Sequence, residues 1–534
     1  MIDTNELLVL NAKQAATITL QATRIEELVN SIGMLKEEIQ LLKNEIAILK
    51  GQKPRPKIPP STLEGPHSKE KQKDKPPRGK HPRRKKTNQL QIHVKERIKP
   101  AGLPEGAVFK GCNKYTVQNI IIRSNNTLYE LERWQLPDGT YVTGKLPEHV
   151  LGHYGPDVVA YVLHQYYGCR VAAPLLLAQL HNMGVLISEG QLSKLLIEGK
   201  AVFHQEKCSL LPAGIAATGQ LKVDDTGARL SGKNGYSTII ANELFTYVST
   251  TMSKSRVNFL QTLHGGVAGY LVNEDAAEYI KHLKPLSWLQ GHLLMHRREN
   301  AMNQKEWEQF LTEINVAGEN DVRLATEAAL YASLISSGIP KDLGVHGDDA
   351  GQFDVFVRSL CWIHEERHYR KLIAIDDTMR IAIEQVREGI WELYQDLKSY
   401  KEAPSETCRE AISKKFDQLF TQTTASPTLN NQLAKTYAKK EELLRVLARP
   451  TTPLHNNGTE TDAREMKTKL KVSGGTRSAE GLACRDTFVS LKKTCIKLGI
   501  NFWNYLLDRV QELFTIPPLA EIIRKRGAFQ SQGP

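Results

Sequence analysis

From Ile25 onward the apolar residues Ile25, Leu28, Ile32, Leu35, Ile39, Leu42, Ile46 and Leu49 alternate at spacings of three and four without a break. This is a heptad repeat with Ile at each a position and Leu at each d position, the combination that favours two parallel strands. The pairs Glu38 with Lys43 and Glu45 with Lys50 fall at g and e′ positions, where they attract across such a dimer. The competing reading is one amphipathic helix packed on its own chain, which ordinarily needs a wider apolar face than this stripe. Residues 1–50 are therefore predicted to be a coiled-coil helix that makes a homodimer or higher oligomer, ended by Gly51 and the prolines after it.

The charge of the chain is concentrated just beyond that helix. Lys plus Arg exceed Asp plus Glu by 71 − 59 = 12 over the whole sequence, and residues 51–90 alone carry thirteen against three, an excess of ten. Those residues also hold eight of the 24 prolines and the run Pro82-Arg83-Arg84-Lys85-Lys86. Such a composition cannot bury a core and is expected to stay extended as a linker. Each phosphate that Arg83, Arg84, Lys85 or Lys86 neutralises adds sequence-independent, salt-dependent affinity for DNA; a merely solvated tether is the plainer alternative.

Seven scattered cysteines, odd in number and without a CxxC pair, suggest neither a disulfide framework nor a zinc ribbon. No apolar run approaches the roughly 20 residues of a membrane span, and no secretory leader pattern opens the chain. A soluble, cytoplasmic protein without a membrane partner is expected.

Residues 91–150 alternate in β fashion at 114–118, 120–123 and 128–134, with the turn Pro137-Asp138-Gly139 before Thr140-Tyr141-Val142, so a small antiparallel β domain is predicted there. Over 151–212 the period becomes helical, and Ser188 with Gln191 makes an N-cap signal for a helix at 188–198. This resembles a helix-turn-helix, in which Lys194 would face DNA; a packed helical hairpin is the alternative.

Within 213–515, Gln220 to Thr226 reads as a strand ending in Asp224-Asp225, followed by strands at 235–240 and 244–248 and a helix near Ser253. Leu343 to Gly347 is a second short strand, again ending in a carboxylate pair, Asp348-Asp349, and an apolar strand is expected from Arg358 to His364. Asn456-Asn457-Gly458-Thr459-Glu460 opens a helix that brings Arg464 and Lys467 to the face of Glu460. Helical insertions are expected near 270–342 and 376–447, and 516–534 is a tail. Carboxylates at strand ends and a helix start suit hard divalent cations, which take oxygen ligands and activate phosphoryl transfer in pairs. Cys361 and His364 have a metal-ligand spacing, yet without two further ligands core packing is the expectation.

Five blocks in order, Val223 to Arg229, Gly232 to Tyr236, Asp348 to Phe353, Cys361 to His364 and Asn456 to Glu460, resemble the insertion sequence 66 family of bacterial transposases. The resemblance runs from about residue 90 to 515 and implies an α/β fold, an RNase H-like catalytic core with helical insertions. It implies Asp224, Asp348 and Glu460 as catalytic, metal-binding carboxylates, with Asp225 and Asp349 as substitutes, and Mg2+ or Mn2+ as cofactor, two ions per site. It further implies double-stranded DNA as partner, both transposon ends and target, in a bacterial, nucleoid-associated setting. Lys467 matches a basic residue that such enzymes place seven positions beyond the glutamate, and Arg477 lies in a loop after Gly474-Gly475; with Arg464 they are the DNA-contact candidates of this domain. Many members carry a cysteine-rich zinc segment before the catalytic domain, where this chain has only Cys112. The implied activity is metal-dependent cleavage at transposon ends and strand transfer; a non-catalytic architectural DNA-binding protein and a nuclease without joining activity are the alternatives.

Overall fold

The computed structural model describes residues 21, 91–102, 104–113, 115–147, 152–265, 269–284, 288–374 and 376–531. The predicted coiled coil at 25–49 and the basic segment holding Arg83, Arg84, Lys85 and Lys86 lie outside the described residues. The chain divides into two units, 1–119 and 120–534. In the first, the described residues from 91 on are exposed and carry neither helix nor strand.

The second unit opens on a single hairpin, β1 (Arg133–Gln135) and β2 (Tyr141–Thr143), antiparallel with Trp134 opposite Val142. Its turn is the expected one: the Asp138 carboxylate accepts from the Thr140 amide at 2.9 Å and hydroxyl at 2.7 Å, and Gly139 takes φ 84°. Of the strands anticipated at 114–118, 120–123 and 128–134, only Arg133 and Trp134 are in a strand among the described residues. Alternation alone does not make a sheet; Ile120, Ile121, Ile122 and Leu128 stay exposed, with no layer over them among the described residues.

Helices follow as expected. α1 (Pro156–Leu163) continues into a π-helical turn at His164–Gly168, then come α2 (Ala173–Asn182), α3 (Glu189–Ile197) and α4 (Ala201–Thr218). Ser188 caps α3 by accepting from the Gln191 amide at 3.2 Å, and Leu176, Leu180, Leu192 and Leu196 are buried where α2 and α3 pack.

The sheet begins where Gly219, at φ 60°, ends α4. β3 (Gln220–Leu230) turns through Ser231 and Gly232, both at positive φ, into β4 (Lys233–Ala241), and β5 (Thr246–Thr251) completes an antiparallel meander. After α5 (Arg256–Leu263), which is capped by Ser255 rather than by Ser253, the first insertion supplies α6 (Glu274–Leu283), α7 (Trp288–Met295), α8 (Gln304–Glu313) and α9 (Glu319–Ser336). β6 (Gly344–Gly347) then joins β3 in parallel and β7 (Val357–Leu360) joins β6, giving the order β5-β4-β3-β6-β7. The expected strand from Arg358 to His364 is shorter: Cys361 is the N-cap of α10 (Trp362–Arg370), so His364 is helical.

The second insertion is α11 (Asp377–Glu402), α12 (Glu406–Phe420) and α13 (Pro427–Tyr437) with two single turns after it, built around its own core of Ile390, Leu393, Phe416 and Phe420. The chain ends in α14 (Asn457–Ser473), α15 (Ala479–Lys497), α16 (Phe502–Val510) and α17 (Leu519–Ser531). Alternation assigns the two faces of the sheet. Leu221, Val223, Ile240 and Tyr247 belong to the large core shared with α1 to α9, while Ile239, Ala241 and Val248 meet Ala463 and Met466 of α14 and Val489 of α15. Close packing is strict at Gly214 of α4, where a Cβ would lie 2.1 Å from the Phe245 ring. The result is an α/β fold with a mixed sheet and mostly helices, as the fold-class expectation required at that level.

Candidate active site

β3 and β6 run side by side in a register that pairs Gln220 with Gly344, Leu221 with Val345 and Lys222 with His346. The offset is 124 throughout, since 346 − 222 = 124, and the same offset relates Asp224 to Asp348. The first aspartate of each acidic pair therefore sits at an equivalent position on neighbouring strands, one just past the end of the shared ladder and the other just past the end of β6. Adjacent strands are about 4.8 Å apart, which puts two carboxylates within reach of a common cation.

The second member of each pair has a different environment. Asp225, one residue along β3 and so on the opposite face, accepts from the Thr238 hydroxyl at 2.6 Å and the Gln352 amide at 2.6 Å, with the Lys254 ammonium at 3.8 Å. Asp349 is paired with Arg358 at 2.9 Å and Lys439 at 2.5 Å. By contrast, among the described residues the side-chain carboxylates of Asp224 and Asp348 accept from nearby backbone amides alone, those of Asp225 at 2.8 Å and Ala350 at 3.2 Å, while the Arg358 guanidinium reaches the Asp348 main-chain carbonyl at 3.4 Å. In each pair, then, the second aspartate is held by protein side chains and the first is left with oxygen lone pairs to spare.

Glu460 lies in the first turn of α14, on the sheet face that Asp224 shares with Ile239, its partner across β3 and β4. The start of that helix is tied down by Asn456, whose side-chain amide donates to the Val223 carbonyl at 2.7 Å. Further along, Asp462 accepts from Thr246 at 2.8 Å and pairs with Lys493 at 3.2 Å, which locks α14 against β5 and α15.

Burial, and next the charge of Asp348, lift the Asp224 carboxyl to about 6, with Glu460 and Asp225 pushing the same way. Asp225 is raised as well, mainly by burial, which outweighs its hydrogen bonds. The three expected carboxylates thus converge enough for Asp224 to feel both of the others. Yet among the described residues no group of three or more His, Cys, Asp or Glu is arranged to hold a metal ion. The chemistry of the donors fits a hard divalent cation, whereas the Glu460 carboxylate is engaged elsewhere. It stands 3.2 Å from Arg367, 3.5 Å from Arg464 and 3.5 Å from His364.

Arg464 therefore reaches Glu460 as the helical spacing anticipated, and Lys467 is exposed one turn further on. Arg477 is exposed in the turn after α14, where its carbonyl accepts from the Ser231 hydroxyl at 2.7 Å. Lys194 is exposed on α3, which packs on α15 rather than on an element that carries one of the carboxylates. All seven cysteines are free, and Cys361 is buried, in line with the core-packing expectation for it. His364 departs from that expectation: it lies beside Glu460, and burial holds its imidazole below the usual range. His364, Gln352 and Asn456 were all within sequence blocks already singled out, whereas nothing in the local sequence around Arg367 or Lys439 marks them.

No described helix is long and apolar enough to cross a membrane. The sequence profile of the Transposase IS66 family matches residues 351–483, a span that includes Glu460. The uncharacterized protein y4jO of Sinorhizobium fredii (strain NBRC 101917 / NGR234) is 37% identical over 317 residues, covering 59% of this chain and 99% of that protein. No solved structure matches the chain. The likeness puts the chain among the transposases, enzymes that act on DNA. It belongs to the Transposase IS66 family.

Proposed function

We propose that the chain is a metal-dependent polynucleotidyl transferase with an RNase H-like core, which cleaves at transposon DNA ends and transfers the freed 3′ strand into target DNA. The observation that carries this reading is the common 124-residue offset, by which Asp224 on β3 and Asp348, just past the end of β6, stand at equivalent positions beyond the ladder of two adjacent parallel strands. Supporting it are the order of the five-stranded sheet and the approach of Glu460 from the helix over the same face.

Asp224, Asp348 and Glu460 would hold two Mg2+ or Mn2+ ions, which when bound supply Lewis-acid charge to the attacking and leaving oxygens of an in-line displacement. The remaining residues position this set. Thr238 and Gln352 fix Asp225, and through it the backbone on which Asp224 sits; Arg358 and Lys439 do the same for Asp349 beside Asp348. Asn456 sets the height of Glu460 above β3. Arg464 and Lys467, exposed in the turns after Glu460, and Arg477, exposed beyond the far end of α14, would meet backbone phosphates, which fix register without reading sequence. The heptad helix would pair subunits so that two DNA ends are handled together.

The test is a cleavage and joining assay on labelled DNA that carries the ends of the parent element, with Mg2+ present. Wild type is expected to yield cut and joined products, and Asp224→Ala, Asp348→Ala and Glu460→Ala to bind the DNA without either. Products that survive all three substitutions would place the chemistry elsewhere. Cutting without joining would leave the nuclease reading in its place.

A further inference from the structure

Away from the carboxylates, the C-terminal end of α14 holds a buried cation that lacks a counter-charge. Lys469 is 6% exposed. Its ammonium donates to the Tyr166 carbonyl at 3.1 Å and lies 3.6 Å over the Tyr166 ring, so one of its three protons has a protein acceptor. It forms no ion pair among the described residues, and the charges that act on it, from Arg170, Arg485 and Lys492, are all positive. The carboxylates near those cations are already used: Asp486 by Arg485 at 3.0 Å, and Glu465 by both Lys492 and Lys493 at 2.5 and 2.6 Å.

A small pocket opens beside Lys469, lined also by Tyr166, Ser473, Gly475, Thr476 and Arg485. The Ser473 hydroxyl is buried there without a hydrogen-bond partner among the described residues. The Arg485 guanidinium, 7% exposed, reaches the same wall, donating to the Thr476 hydroxyl at 3.3 Å. The wall is held in place because the Gly474-Gly475 turn, with φ of 68° and 112°, brings Thr476 to β3, where its amide donates to the Arg229 carbonyl at 2.9 Å. A Cβ on Gly475 would come within 2.8 Å of that carbonyl, so only glycine fits. Uncompensated buried charge and an orphan hydroxyl are both unfavourable, and one anionic oxygen in the pocket relieves them together.

We infer that this pocket, at the seam between the helical segment that carries Tyr166 and the end of α14, is an anion site that takes a non-bridging phosphate oxygen of the DNA backbone. Lys469 supplies the charge, Ser473 donates its hydroxyl and Arg485 adds field from the wall; the Tyr166 carbonyl orients the ammonium. The size of the pocket suits a single oxygen and leaves the phosphorus outside. The assignment rests on the reading that the chain binds DNA, but not on any role for the carboxylates.

The full chain would be titrated, with a chelator present, against a fluorescent double-stranded oligomer over a series of NaCl concentrations, beside Lys469→Met and Ser473→Ala. Loss of one phosphate contact in Lys469→Met should reduce the slope of log K against log salt by about 0.9. Ser473→Ala should keep the slope and weaken binding about five- to tenfold. A second arm follows thermal melting with inorganic phosphate. Stabilisation by phosphate in wild type that Ser473→Ala loses, with DNA binding unchanged in both variants, would mean a free-anion site and overturn the DNA contact. Unchanged slope and affinity with no phosphate effect would overturn the site altogether. Ser473→Ala keeps the question open to test if Lys469→Met does not fold, and a wild-type chain that fails to bind the duplex would instead sink the wider DNA reading.

Discussion

Asn456, four residues before Glu460, donates its side-chain amide to the main-chain carbonyl of Val223, the residue before Asp224, at 2.7 Å. A single buried hydrogen bond thus sets the position of a helix-borne carboxylate relative to a strand-borne one. Asn456→Ala leaves the Val223 carbonyl without that donor and should destabilise the fold by about 1–3 kcal/mol. Urea denaturation gives the loss, and hydrogen exchange should show faster opening in the first turn of α14 than in α15. Equal protection in the variant and wild type would mean that the packing of Ala463 and Met466 alone holds the helix.

Arg367 lies 3.2 Å from Glu460 and draws its carboxylate toward α10. Arg367→Gln removes that pull, and binding of Mn2+ by the full chain without DNA, followed by electron paramagnetic resonance, should tighten several-fold. Arg464→Gln, whose guanidinium is exposed and 3.5 Å away, should have a smaller effect, because solvent screens it. Weaker Mn2+ binding in Arg367→Gln would show instead that the guanidinium orients the glutamate for the metal.

The pH dependence of stability should carry the signature of Asp224. Its carboxyl ionises at about 6 in the fold against 3.8 as the ordinary value, raised by burial and then by Asp348. Between those values the folded chain keeps a proton that the unfolded chain has released, so this group's effect on stability is least unfavourable below about pH 4 and worsens as pH rises through about 6. Asp224→Asn is neutral at every pH. In chelator-treated protein its Tm relative to wild type should climb across that window and level off above it. A constant difference would mean that Asp224 titrates alike in both states.

Glu206 of α4 anchors the C-terminal helices. It accepts from the Tyr505 hydroxyl at 2.8 Å, the Arg509 guanidinium at 2.9 Å and the Leu519 amide at 2.9 Å, and both Glu206 and Arg509 are buried. Glu206→Ala removes one of two carboxylates on a buried guanidinium, leaving Asp508 and the Ile516 and Pro517 carbonyls, and takes the acceptor from Tyr505 and Leu519, so it should cost about 1–3 kcal/mol in urea denaturation. A single variant within about 0.5 kcal/mol of wild type would remove the pair from any account of stability.

Local pattern and spacing were enough for the parts of the molecule that nearest neighbours decide. Ser188 before a helical period, Pro137-Asp138-Gly139 between alternating residues, the run into Asp224 and the start of α14 all formed, because caps, turns and strand alternation depend on the backbone within a few residues. The same local evidence misled where burial was required. Among the described residues the alternation at 115–132 met no covering layer, and His364, expected in a strand and in the core, lies in a helix beside Glu460.

The sequence by itself determined the acidic pairs, their order and the helical start at Asn457, together with the basic run at 51–90 and the heptad spacing that precede them. Only the tertiary structure decided which carboxylate of each pair has no side-chain partner among the described residues, since that follows from the register of β3 with β6 and from groups as distant in the chain as Thr238, Gln352, Arg358 and Lys439. It alone also brought Tyr166 against Lys469, 303 residues later. Such pairings depend on how layers stack rather than on what any segment prefers locally, and spacing along the chain does not encode them.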